Sequence, residues 1–172
     1  MKKVILLIAG EGYQPIEYEV PKQVLQNKGF EVITVSDVSG RAISSDPEQS
    51  TEVDFLISEI NTDSADALFL IGGPGALDHL DNDQVYKLLQ DWQNIDKPYG
   101  AICISPRILA RAGVLQNKKA TGWDGDEKLA EVFAKNNVEY IRDSVVVDGK
   151  VIAANGPTSA QQFGEKIVEI LG

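Results

Sequence analysis

Short runs of wholly apolar residues recur along the chain, and each is followed by a stretch with helical periodicity. The runs are VILLI at 4–8, ALFLI at 67–71, YGAI at 99–102 and VIAA at 151–154. A strand that is apolar at every position must be covered on both faces, which is the signature of a parallel sheet between helical layers. The intervening segments fit this arrangement. Residues 16–28 read as a helix closed by Gly29, with Pro21 marking a kink or a late start. Val85, Leu88, Leu89 and Trp92 fall at i, i+3, i+4 and i+7, one face of a helix. Ile108, Leu109 and Ala112 mark a further helix stopped by Gly113. Leu129, Val132 and Phe133 mark another, and Phe163, Ile167, Ile170 and Leu171 a closing one. Residues 31–36 read as a strand. Residues 53–57 read as a shorter strand on an excursion from the main sheet. Val145–Val147 and residues 151–154 flank Asp148 and Gly149, a hairpin signal. The predicted fold is a flavodoxin-like helix–sheet–helix sandwich. It forms one domain over residues 1–172, with a mostly parallel sheet and an antiparallel hairpin near the C-terminus.

Charge and cysteine content narrow the function. Lys and Arg total 16 against 26 Asp and Glu, a formal charge of −10. That balance opposes nucleic-acid or anionic-membrane partners, which require basic patches. The apolar run at 4–8 is too short to span a bilayer. It reads as a buried first strand rather than a signal peptide. The single cysteine, Cys103, rules out an intrachain disulfide, and a free thiol fits a reducing, cytoplasmic compartment.

In open α/β sheets, ligands bind beyond the carboxyl ends of the strands. Three segments lie there: residues 10–17, 72–75 and 103–106. Cys103 sits between an apolar strand and a helix whose first turn holds Pro106. A thiol at a helix mouth feels the positive end of the dipole, which favours thiolate. The plain alternative is a buried, inert cysteine. LIGGPGA at 70–76 ends the central strand with three glycines in four residues. Gly72 and Gly73 can bring backbone N–H groups close to an anion, and with the N–H of Ile104 they would form an oxyanion hole. The loop lacks the Lys and Ser/Thr of a P-loop, which argues against nucleotide phosphate binding. Among the acids near the first helix, spacing does not separate Glu11, Glu17 and Glu19.

Taken in order, these pieces resemble the DJ-1/PfpI superfamily over nearly the whole chain. Glu17 stands four residues before Pro21, LIGG ends the central strand, and AICISPRILA carries the elbow. Thr121, VVVDG at 145–149 and Gly156–Pro157 follow. The resemblance implies a reactive Cys103 with Glu17 as its protonated carboxyl partner, and backbone donors from Gly72, Gly73 and Ile104. Tyr13, Trp123, Asp124, Asn155 and Thr158 are further pocket candidates, read as loop residues. The resemblance implies no cofactor and no metal, and a homodimer.

Two positions depart from the family. Ile104 stands where the peptidase-like branch has a His after the nucleophile. Trp123 stands where the DJ-1 branch has a later His. The only histidine, His79, reads as a solvated residue near a helix start. A Cys–His dyad is therefore missing, which opposes PfpI-type cysteine peptidase action, and so is the His–Glu pair of a glutamine amidotransferase. The leading expectation is a cofactor-independent glyoxalase or deglycase-like enzyme acting on small reactive carbonyls through Cys103 and Glu17. The alternative is a redox-sensing, stress-response protein whose cysteine oxidises to sulfinate.

Overall fold

The computed structural model describes residues 1–172. In chain order the elements are β1 (Lys3–Ile8), β2 (Glu11–Tyr13), α1 (Pro15–Asn27), β3 (Glu31–Ser36), β4 (Arg41–Ser44) and β5 (Ser50–Glu52). Next come β6 (Phe55–Leu56), β7 (Ala67–Leu70), α2 (Ala76–Leu80), α3 (Asp83–Asn94), β8 (Tyr99–Ile102) and α4 (Pro106–Arg111). The chain ends with β9 (Lys119–Ala120), α5 (Leu129–Lys135), β10 (Glu139–Tyr140), β11 (Val145–Asp148), β12 (Val151–Ala154) and α6 (Ala160–Leu171). No helix is long and apolar enough to cross a membrane.

Seven strands form the main sheet in the order β11-β12-β8-β7-β1-β3-β6. Every neighbouring pair is parallel except the β11–β12 hairpin. The apolar runs explain the layering. Successive side chains of a strand point to opposite faces. Ile5 and Leu7 of β1 therefore join the core beneath α3, α4 and α5, while Val4, Leu6 and Ile8 join the core beneath α1 and α6. On the second face Gly164 lets α6 approach α1, since a Cβ there would lie 3.0 Å from Pro21 Cα.

The chain first builds outward from β1 to β3 and β6, then returns to β7 on the other side of β1. This reversal makes the β1–β7 boundary the topological switch point. The loops leaving β1 and β7 diverge there, and a crevice opens at their carboxyl ends.

Three local expectations need correction. The strand expected at 53–57 shrinks to β6, and it is the edge of the main sheet, paired in parallel with β3. The excursion is instead β4 and β5, which join β2 in a small three-stranded sheet. RAIS is half polar and STE wholly polar, so no apolar run advertises them. Pro21 neither delays α1 nor ends it: the helix runs from Pro15 through Pro21 to Asn27. Pro21 simply has no N–H to offer the Glu17 carbonyl four residues earlier.

Candidate active site

Cys103 is the first residue past β8, and its backbone is held in the left-handed region with φ 64°. A non-glycine residue there is strained. The fold imposes it from three sides. The Cys103 N–H donates to Ala154 O at 2.9 Å, and Cys103 O accepts from Trp123 N–H at 2.7 Å. Two residues on, the buried Ser105 hydroxyl donates to Ile71 O at 2.7 Å, tying the elbow to the end of β7. Such a turn projects the side chain away from the sheet, as in the nucleophile elbows of α/β hydrolases.

Glu17 reaches the same point from α1 and is fully buried. Its Oε2 accepts from Gly72 N–H at 3.0 Å. Its carboxyl also faces the Cys103 thiol, and Oε1 has no hydrogen-bond partner. Gly72 is wedged between the two groups. A Cβ there would lie 2.5 Å from Cys103 Cβ and 2.6 Å from Glu17 Oε2, so glycine is required by the close approach. Gly73, at φ 120°, turns the chain so tightly that a Cβ would strike Gly12 O at 2.3 Å. The backbone N–H groups of Gly73 and Ile104 lie by the sulfur and favour its charged form. The three donors named from the sequence thus divide: Gly72 serves the carboxylate, and Gly73 and Ile104 serve the thiol.

Burial controls the protonation of both groups. It drives the Glu17 carboxyl up to about 7, against the lowering effect of its hydrogen bonds with Cys103 and Gly72. It pushes the Cys103 thiol up to about 12, and the charge and hydrogen bonding of Glu17 add to the rise. The N–H groups of Ile104 and Gly73 pull the other way. Desolvation therefore outweighs the helix dipole at this thiol. The helix α4 has only six residues and begins at Pro106, three positions beyond the sulfur. The thiol is instead governed by desolvation and by the protonation of Glu17.

A cavity of about 220 Å³ opens onto the sulfur, lined by Gly73, Pro74, Cys103, Ile104 and Trp123. Of the further pocket candidates, only Trp123 lines it. Tyr13 is not a loop residue but a buried part of β2, edge-on to Tyr18. Asp124 accepts from the N–H of Leu129, the first residue of α5, at 2.9 Å. Asn155 Oδ1 accepts from the Ser159 hydroxyl at 2.6 Å, and Thr158 is exposed. His79 lies within α2 and is not freely solvated: its Nδ1 is 2.6 Å from Asp37 Oδ2.

The sequence reading missed Arg107. It is buried in α4, donates to both carboxylate oxygens of Asp126 at 3.0 and 2.6 Å, and donates to Trp123 O at 3.1 Å. Its guanidinium lies 5.6 Å from the Trp123 ring centroid. An arginine on an amphipathic helix carries no sequence mark of this role. The Asp126 carboxylate is held down to about 2 by those hydrogen bonds, so the pair stays charged across the neutral range.

The chain resembles known proteins along almost its full length. It is 34% identical over 170 residues to an uncharacterized protein of Methanocaldococcus jannaschii, covering 98% of this chain and 82% of that protein. It is 30% identical over 169 residues to the deglycase PfpI of Pyrococcus furiosus, covering 98% of this chain and 99% of that one. Among solved structures, a ThiJ/PfpI domain protein from Brachyspira murdochii superposes with a TM-score of 0.91 at 26% identity, over 98% of this chain and 95% of that one. The family model described as DJ-1/PfpI family matches residues 2–170, and with it the chain belongs to the DJ-1/PfpI family.

Proposed function

We propose that the protein converts small 2-oxoaldehydes to 2-hydroxy acids without a cofactor, using Cys103 as nucleophile and Glu17 as proton carrier. The single observation that carries this reading is the buried carboxyl packed against a strained, partly exposed thiol, with two N–H groups at the sulfur. A buried carboxylate with one oxygen unpartnered is costly. Moving the thiol proton to Glu17 Oε1 removes that cost. The acid then donates a hydrogen bond to the sulfur, and the charge sits where Gly73 and Ile104 face it. The raising effect of Glu17 on the thiol is thereby reversed, because a neutral donor replaces a like charge.

The thiolate adds to the aldehyde carbon. The S–C bond forms, the carbonyl π pair moves to oxygen, and Glu17 supplies the proton. Glu17 then removes the hydrogen from that carbon as a proton and returns it to the neighbouring carbon through an enediol, while the hydroxyl proton on the first carbon's oxygen passes to the second oxygen. The first carbon is oxidised to a thioester and the second reduced to an alcohol, so no external electron carrier is needed. Water cleaves the thioester, releasing the 2-hydroxy acid and regenerating the thiol. The kinship to a protein called a deglycase supports carbonyl chemistry. Peptide cleavage has less support. It needs a base and then an acid for a poor leaving group, and the only histidine is bonded to Asp37. Sulfinate formation is the competing fate of the same sulfur.

The test is lactate formation from methylglyoxal by wild type and Cys103→Ser. The expected result is turnover above background that disappears in the variant. Equal rates in the two proteins end the reading. A homodimer is expected alongside it, and sedimentation at working concentration checks that.

A further inference from the structure

We propose that the cavity beside Cys103 selects uncharged oxoaldehydes bearing an aryl or similarly large apolar substituent, held against Trp123. The inference rests on the oxoaldehyde reading above and specifies its substrate.

Four observations converge on it. The cavity wall consists of Pro74, Ile104, Trp123 and the glycine backbone, with the sulfur as its reactive atom and no charged side chain. Trp123 is 37% exposed, yet it is fixed in place. Its N–H donates to Cys103 O, its carbonyl accepts from Arg107, and the Arg107 guanidinium faces the ring. Gly125 packs close to the ring: a Cβ there would lie 2.5 Å from Trp123 Cζ2. The ring is therefore a fixed wall rather than a mobile surface group. Arg107, the cation beside Trp123, is already bound to Asp126 by two hydrogen bonds and does not line the cavity, so no side-chain cation faces a substrate carboxylate there. The formal charge of −10 further disfavours anions. Finally, about 220 Å³ gives room for an aromatic ring beside the sulfur, where it can stack on the indole, a contact that a methyl substituent lacks.

The chemistry is unchanged. Phenylglyoxal plus water gives 2-hydroxy-2-phenylacetate by the same proton shift, with atoms and electrons balanced within the substrate. Stacking of this kind favours the aryl substrate by about tenfold.

The test compares kcat/KM for phenylglyoxal and methylglyoxal in wild type, Trp123→Ala and Trp123→Phe. The expected aryl-to-methyl ratio is about tenfold in wild type. It falls towards unity in Trp123→Ala, chiefly through KM, and is largely restored in Trp123→Phe. A wild-type ratio below one, or a ratio that Trp123→Ala leaves alone, overturns the proposal. A second arm needs no turnover. In Cys103→Ser, only Trp92 and Trp123 give indole N–H signals, and Trp123→Phe assigns them. Acetophenone is expected to shift the Trp123 signal, while acetone at the same concentration does not. If wild type turns over neither oxoaldehyde, the catalytic reading fails. The acetophenone shift then still supports the selectivity of the cavity, and its absence overturns it.

Discussion

Raising the pH from 4.5 to 7 should destabilise this protein through Glu17. In an unfolded chain this carboxyl loses its proton near 4.5; in the folded protein burial holds it to about 7. Between those values the folded state keeps a proton that the unfolded state has released. Stability then falls as pH rises: the contribution is full below 4.5 and is lost as the pH climbs through 7. A gap of 2.5 units corresponds to about 3 kcal/mol. The proton is shared with Cys103, but the first ionisation belongs to the pair, so the conclusion does not depend on which atom carries the charge afterwards. The assay is urea unfolding of wild type and Glu17→Gln at several values between pH 4.5 and pH 7. All other carboxylates are common to both proteins and cancel in the difference. The variant should gain about 3 kcal/mol on wild type across that window. Parallel stability curves would refute the reasoning, because they would mean that Glu17 titrates alike in folded and unfolded chains.

Three further outcomes follow from the same geometry. Gly72→Ala brings a Cβ to 2.5–2.6 Å from Cys103 and Glu17, where ordinary contact begins at 3.4 Å. It should cost about 1–3 kcal/mol in chemical denaturation and on the order of a hundredfold in lactate formation. Cys103→Gly should be more stable than Cys103→Ala by about 1 kcal/mol, because glycine alone is at ease in the left-handed region; equal melting temperatures would show that the elbow is unstrained. Ser105→Ala removes the bond from the elbow to Ile71 O and should cost about 1–2 kcal/mol, read from urea midpoints.

The layers of the fold were legible because β1, β7, β8 and β12 are apolar at nearly every position, and only a doubly covered sheet hides them. The hairpin was legible from Asp148 and Gly149. The small sheet of β2, β4 and β5 was not, since RAIS and STE bury only alternate residues. At the site, Cys103 and the Gly72–Gly73 turn were legible from their place after apolar strands. Glu17 was not separable from Glu19 by spacing: both lie on α1, but one turns beneath Gly72 and is fully buried while the other is exposed. The acidity of the thiol was misjudged for a related reason. A strand–Cys–helix pattern displays the dipole but not the desolvation, which depends on what packs over the sulfur. The Arg107–Asp126 bond that fixes the Trp123 wall spans 19 positions and leaves no periodic trace.

The account depends most on the thiol proton residing on Glu17 when the pair carries its single negative charge. Thiolate ultraviolet absorbance followed against pH in wild type and Glu17→Leu tests this directly. With the carboxyl acting as donor, the variant should form thiolate only at higher pH than wild type. Thiolate appearing at lower pH once Glu17 is gone would contradict the account, since it would mean that the side chain had been an ionised neighbour opposing the sulfur's charge.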